Sequence, residues 1–194
     1  MSGDDAEDVA GGVFTRFFTR HYDEVRRYAL RRLGPDAADD VASETFSVAW
    51  RRFDRVPRDE PLPWLYGVAR NIVRARFREM RRHGAMSTPF PRDDHREPGS
   101  PDPTGAVAER DSALRALSRL GETDRELIML LAWEGLEVRE AARVLGCTTA
   151  TARVRLYRAR RRIERLLAPP PPDGVPRPAA SPRPPARTAL KENQ

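Results

Sequence analysis

Proline divides this chain into parts that can fold and parts that cannot. Of its 18 prolines, five fall within 83–105 and nine within the 27 residues of 168–194. Proline removes a backbone donor and blocks helix interiors. A stretch that carries one every few residues, with few apolar side chains, cannot bury enough surface to offset the entropy of ordering it. The first stretch, with three glycines and a slight acidic excess, reads as a flexible linker. The second reads as a disordered, proline-rich tail with polyproline character. Residues 1–12, whose charged groups are four acids, read as a disordered N-terminus. Two blocks remain, 13–82 and 106–167, each close to the smallest size that holds a core unaided.

Neither block carries strand alternation or an Asn-Gly or Asp-Gly hairpin turn, so the expected fold class is all-α, with two small helical domains. In the first block Phe14, Phe17, His21, Val25 and Tyr28 recur at spacings of three and four and share one helical face. Gly34-Pro35 breaks that helix. Asp36, Asp39 and Asp40 suit the positive end of the next one, whose stripe is Ala42, Phe46, Ala49 and Phe53. A loop over 54–63 with three prolines leads to a third helix from near Trp64, with Leu65, Val68, Ala69, Ile72 and Met80 inward. In the second block Val107, Leu114 and Leu117 suggest a short helix. Thr123 and Glu126 have capping-box spacing ahead of Leu127, Leu130 and Leu131, and Gly135 ends that helix. Two further helices, over 138–145 and about 149–167, flank Gly146-Cys147-Thr148.

The formal charge of +6 and pI near 10.3 call for a polyanionic partner. All basic residues but Lys191 are arginine, whose fork suits phosphates and base edges. Codon usage in a GC-rich genome accounts for such a bias equally well. The lone Cys147 permits no internal disulfide and reads as a small packing residue in a reducing compartment. The acidic N-terminus is unlike a signal peptide, and no apolar run approaches a membrane span. The expected location is cytoplasmic, with no membrane insertion. No phosphate loop, metal-ligand cluster or activated nucleophile occurs, and His21, His83 and His95 are scattered. The chain is expected not to be an enzyme and to need no cofactor or metal.

Three segments point to function. The stretch 138–161 reads as a helix-turn-helix: Ala142 is small where helices cross, Gly146 suits a left-handed turn, and Thr148 or Thr149 can cap the second helix. That helix carries Arg153, Arg155, Arg158, Arg160, Arg161, Arg162 and Arg165 against one acid, Glu164, with Val154 and Ile163 inward. Such a helix repels itself unless a polyanion neutralises it, as the DNA major groove does; a merely solvated basic helix is the competing reading. On the third helix of the first block Arg70, Arg74, Arg78 and Arg81 share a face with Asn71, preceded by Trp64 and Tyr66. Cations with aromatics beside a loop fit single-stranded DNA, although Trp64 alone suits a core equally well. On the second helix Val41, Val48 and Trp50 lie outside the main stripe, which suits either an interface or complete burial.

In this order, ADDVASETFSVAWRRF, LPWLYGVARNIVRARFRE and DRELIMLLAWEGLEVREAARVLGCTTATARVRLYRARRRI resemble the sigma-70 family, in its extracytoplasmic-function group, over most of 14–167. The resemblance implies that the first block is sigma domain 2 and the second sigma domain 4. The first would bind the clamp helices of the largest subunit of core RNA polymerase through Asp39, Asp40, Glu44, Phe46 and Trp50. It would read the minus-ten element through Trp64, Arg70, Asn71, Arg74 and Arg78. The second would meet the flap of the second-largest subunit and read the minus-thirty-five element of promoter DNA. Its groove-facing positions are Thr149, Thr151, Arg153, Val154, Tyr157 and Arg158, with Arg160 and Arg161 at phosphates. An anti-sigma factor is a further implied partner. This chain departs from the family pattern at Val154, where a small hydroxyl residue is common, and at Ala152, whose small side chain implies a looser seat for the helix. It departs also at Glu137, where a serine or threonine cap is usual. Two other readings account for part of the pattern: a helix-turn-helix regulator that never touches polymerase, and an anti-sigma-like scaffold.

Overall fold

The computed structural model describes residues 3–83 and 103–168, with side chains over 11–83 and 110–168. All of the expected tail beyond Ala168, and all of the expected linker except its ends, lie outside these residues. Every regular element among them is helical: α1 (Gly3–Leu33), α2 (Pro35–Arg51), a 3-10 turn (Phe53–Arg55), α3 (Pro61–Arg82), α4 (Pro103–Ser118), α5 (Glu122–Ala132), α6 (Val138–Leu145) and α7 (Thr149–Leu167).

Local chemistry explains most boundaries. Gly34 takes φ 85°, a conformation that a side chain disfavours, and Pro35 follows at the first position of α2, where no amide hydrogen is needed. Proline at the helix start likewise lets α3 begin at Pro61, inside the expected loop, and α4 at Pro103, inside the expected linker. α1 begins at Gly3, eleven residues before Phe14 opens its apolar stripe and inside the segment 1–12 that was expected to be disordered.

Two caps depart from expectation. Thr123 does not cap α5: the preceding residue is Gly121, no side chain caps the helix, and Glu126 is drawn to another partner. Glu137 does cap α6 in a reciprocal box with Glu140, whose carboxylate accepts from the Glu137 amide at 2.7 Å.

α1, α2 and α3 enclose Val25, Tyr28, Ala29, Val41, Ala42, Phe46, Leu65 and Ala69. α4 to α7 enclose Leu120, Leu127, Leu130, Ala142, Ala152, Leu156 and Ala159. The two cores are not separate. Leu127, Leu130, Leu136, Ala141, Val144 and Leu156 belong to one apolar cluster with the residues of α1–α3, and α3 lies against α6. Each block thus gains burial that its own size does not supply.

Candidate nucleic-acid and protein interfaces

The turn before α7 sets the geometry of the basic helix. Gly146 adopts φ 68°, and Cys147 N–H donates to the Ala142 carbonyl at 3.0 Å, closing the end of α6. The Thr148 hydroxyl then accepts from the Thr151 amide at 3.1 Å and caps α7. Ala152, Leu156 and Ala159 face inward, and Ala152 is completely buried. Arg155 also turns back, donating to Asp124 on α5 at 3.1 Å.

The opposite face is open. Thr151, Arg153, Val154, Tyr157, Arg158, Arg160 and Arg161 are exposed, and Thr149 is half-buried at the start of the helix. Val154 is 49% exposed, so the periodicity argument that turned it inward is corrected. Tyr157 is 62% exposed, against 9% for its inward neighbour Leu156 and 1% for Ala159. Arg161 lies 5.7 Å from the Tyr157 ring and 3.4 Å from Glu164; its hydrogen bond with Tyr157 and the pull of Glu164 raise its pKa. A helix N-terminal half with exposed donors, an apolar side chain and a cationic rim has the shape and charge to enter a major groove.

The expected minus-ten residues of α3 are divided. Asn71, Arg74 and Arg78 are exposed and Trp64 is half-buried against the core. Arg70 is buried at 9%, so it is not on one open face with its neighbours. Tyr66 is buried too, stacked on Tyr28 at 5.1 Å, and burial raises its pKa. It is a core residue rather than a platform for bases. Arg74 is already engaged, by Glu122 of α5 at 2.8 Å.

On α2 the Asp39 carboxylate accepts from Arg26 at 2.7 Å and Tyr22 at 2.9 Å, which holds its pKa down. Asp40 is exposed, and Glu44 lies 3.5 Å from Arg76. Phe46 is 2% exposed, with the Phe18 ring at 4.9 Å. It supports the surface from below rather than forming it. Trp50 is 51% exposed, edge-on to Phe14 at 4.8 Å, and Phe18 is 37% exposed. Acids beside exposed rings make this a surface suited to a protein. Among the described residues no group of three or more histidine, cysteine or acidic residues is placed to hold a metal, and no helix is long and apolar enough to cross a membrane.

One constellation escaped the sequence reading. Arg32, on the last turn of α1, is 4% exposed. Its Nε donates to Glu126 Oε2 at 3.0 Å, Nη2 to Glu126 Oε1 at 3.0 Å, and Nη1 to Glu134 Oε1 at 2.9 Å and the Tyr28 carbonyl at 2.9 Å. The Tyr28 hydroxyl donates to Glu126 at 2.8 Å, and the guanidinium lies 3.4 Å over the Tyr28 ring. Arg31 pairs with Glu134 as well. Burial works against the charge of Arg32, but the fields of Tyr28, Glu126 and Glu134 outweigh it and the pKa rises. Burial, with Glu126 adding to it, pushes the Tyr28 hydroxyl well above its usual range. The available signal was Arg32 four residues after Tyr28, a charge on an apolar face; nothing local named its partners.

Residues 17–83 match the sequence profile described as Sigma-70 region 2, and residues 110–163 that described as Sigma-70, region 4. The chain is 35% identical over 160 residues to the ECF RNA polymerase sigma factor BldN of Streptomyces coelicolor, covering 80% of this chain and 60% of BldN. It is 30% identical to the ECF RNA polymerase sigma factor EcfG of Rhodopseudomonas palustris, covering 74% and 78%. It is 35% identical to the RNA polymerase sigma factor CnrH of Cupriavidus metallidurans, covering 66% and 72%. Among solved structures it is similar to the sigma factor RpoE bound to the anti-sigma factor NepR from Bartonella quintana, with TM-score 0.57 and 25% identity over 79% of this chain and 96% of that one. It is similar also to CnrH in complex with the cytosolic domain of CnrY, with TM-score 0.54 and 26% identity over 84% and 94%. The chain belongs to the sigma-70 family, as an RNA polymerase sigma factor of the extracytoplasmic-function group.

Proposed function

We propose that this alternative sigma factor divides promoter recognition between its two helical blocks while core RNA polymerase supplies the chemistry. The block 13–82 docks on the clamp helices of the largest subunit through the acidic and aromatic surface of α2, with Asp40, Glu44 and Trp50 outermost. Trp64, Asn71, Arg74 and Arg78 then meet minus-ten bases as they unstack; Arg70 joins them where it is uncovered. The block 106–167 lies at the flap of the second-largest subunit and lays α7 in the minus-thirty-five major groove. There Thr151, Arg153, Val154, Tyr157 and Arg158 meet base edges, and Arg160 and Arg161 meet phosphates. The chain itself catalyses nothing and works in the cytoplasm without a cofactor. RpoE and CnrH were each solved with a bound partner, an anti-sigma factor in the case of RpoE, which supports an anti-sigma partner for this chain too.

The observation that carries this reading is α7: three side chains seat it in the core while its far side exposes a row of arginines with Thr151, Val154 and Tyr157 among them. The test is assembly with purified core polymerase followed by footprinting on promoter fragments. Changing Arg153 and Arg158 to Ala leaves copurification with core intact and removes protection at minus thirty-five. Changing Asp40 and Trp50 to Ala removes copurification. A chain that binds duplex DNA but never core would reinstate the ordinary helix-turn-helix regulator.

A further inference from the structure

Between α1 and the turn that joins α2 to α3 lies a cavity of about 320 Å³. None of the residues assigned to polymerase, to the minus-ten element or to the minus-thirty-five element lines it. Its floor is aromatic. Phe17 and Phe53 meet edge to face with centroids 5.3 Å apart, and the His21 ring packs on Phe17 at 5.1 Å. Both phenylalanines are only half-buried and line the cavity. His21, which lines it too, is 9% exposed, and its Nδ1 has no hydrogen-bond partner. A buried polar atom in that condition is costly, and a group that bonds it returns the cost.

The rim is cationic. Arg16, Arg20 and Arg58 line the cavity, are exposed, and form no ion pair with any described residue. Elsewhere in the same block Arg26 is held by Asp39, Arg74 by Glu122 and Arg76 by Glu44. Arg16 and Arg20 stand four apart on α1 and so share a side of it. Arg58 comes from the turn, 5.7 Å from the Phe53 ring. Three like charges at one mouth repel one another until an anion of more than one charge meets them.

We propose that this cavity is a nucleotide site, in which a base lies against Phe17 and Phe53 with one edge bonded to His21, and the phosphates are held by Arg16, Arg20 and Arg58. Guanidinium forks match phosphate oxygens, and aromatic rings pack a planar base. The combination sets the ligand class. A fatty acid brings a single charge and inorganic phosphate brings no ring; a nucleoside polyphosphate brings both a ring and several charges. The volume lies at the lower end of the range of small-molecule sites, about 300–1,000 Å³. Burial lowers the His21 pKa, so at neutral pH its ring offers one donor or one acceptor to a base edge rather than a fourth cation. The turn leads directly into α3, so a bound nucleotide links α1 to the segment that positions Trp64. The same chemistry comes from two sources, a free nucleotide or a nucleotide within a single strand, and the test separates them.

The test is calorimetric titration of the full chain at fixed salt with ATP, GTP, inorganic pyrophosphate and a single-stranded oligonucleotide of mixed sequence. ATP or GTP binds, and Arg20→Gln with Arg58→Gln weakens it by roughly tenfold or more, the loss expected when charge-assisted bonds are removed. Arg162→Gln with Arg165→Gln removes equal charge from the last turns of α7 and leaves the affinity little changed. All four arginines are exposed, so both variants keep the helical circular dichroism of the wild type. Pyrophosphate, with charge but no ring, binds roughly tenfold more weakly than the nucleotides and leaves the His21 ring signals in NMR unshifted, whereas ATP or GTP moves them. An oligonucleotide that depends on Arg20 and Arg58 while free nucleotides do not bind keeps the site and assigns its ligand to a strand. The proposal is overturned if no probe distinguishes the Arg20 and Arg58 variant from the wild type. It is overturned equally if the α7 variant loses as much, or if pyrophosphate binds as tightly as the nucleotides.

Discussion

His21 and Tyr28 lie on the same face of α1, and both were read from the sequence as parts of one stripe. The structure separates their physics. His21 is buried beside the Phe17 ring at 5.1 Å, and its Nδ1 has no hydrogen-bond partner. Desolvation lowers its pKa below the ordinary 6.5, against the opposing field of Glu24. Between the folded value and 6.5 the unfolded chain binds more protons, so stability is complete above about pH 6.5 and declines as pH falls through that window. A thermal melt between pH 7 and pH 5 should therefore move downward on acidification, and His21→Gln should flatten the dependence; an NMR titration of His21 above 6.5 would contradict this. Tyr28 has a partner, Glu126, so Tyr28→Phe should lower the urea unfolding free energy by about 1.5–3 kcal/mol, the usual worth of a hydrogen bond to a charged group. The stripe was legible because spacing of three and four marks a face. The partners were not, because Glu126 belongs to a different helix.

Helix ends were legible where one residue type dictates the backbone and not where tertiary contacts compete. Gly34, Gly146 and Thr148 behave as their chemistry requires. Thr123 and Glu126 had the spacing of a capping box, but Glu126 bonds the Arg32 guanidinium instead. Charge-assisted bonds in a buried site exceed what a surface cap supplies. Thr148→Ala should cost about 1 kcal/mol by loss of the α7 cap, read from chemical denaturation. Gly146→Ala should cost roughly 1–2 kcal/mol, for backbone reasons alone, since nothing lies within 4 Å of the added Cβ. The arginine row of α7 was legible as a basic face, and six of its seven arginines are exposed, Arg155 being the exception. Replacing Arg160 or Arg161, the pair assigned to phosphates, by Ala should in each case lower the slope of log affinity against log salt by about 0.9 in duplex binding.

Proline and periodicity lead to two helical blocks, 13–82 and 106–167; α1 and α4 start before them, at Gly3 and Pro103. That the blocks share one apolar cluster was beyond the sequence, because each helix shows only how wide its apolar face is and not which helix it meets. Arg70 and Phe46 illustrate the limit. Both lie in segments that resemble functional parts of sigma factors, yet Arg70 is covered by the neighbouring block and Phe46 by its own. Burial decides which members of a motif can touch a partner, and burial is a property of the assembled chain.

Run-off transcription by cognate core polymerase, with and without the purified chain, bears on all of this at once. Added to core, the chain should produce discrete transcripts from fixed start sites on a subset of genomic promoters, and Arg153→Ala with Arg158→Ala should abolish them while core binding persists. Transcripts identical to those of core alone would contradict the account.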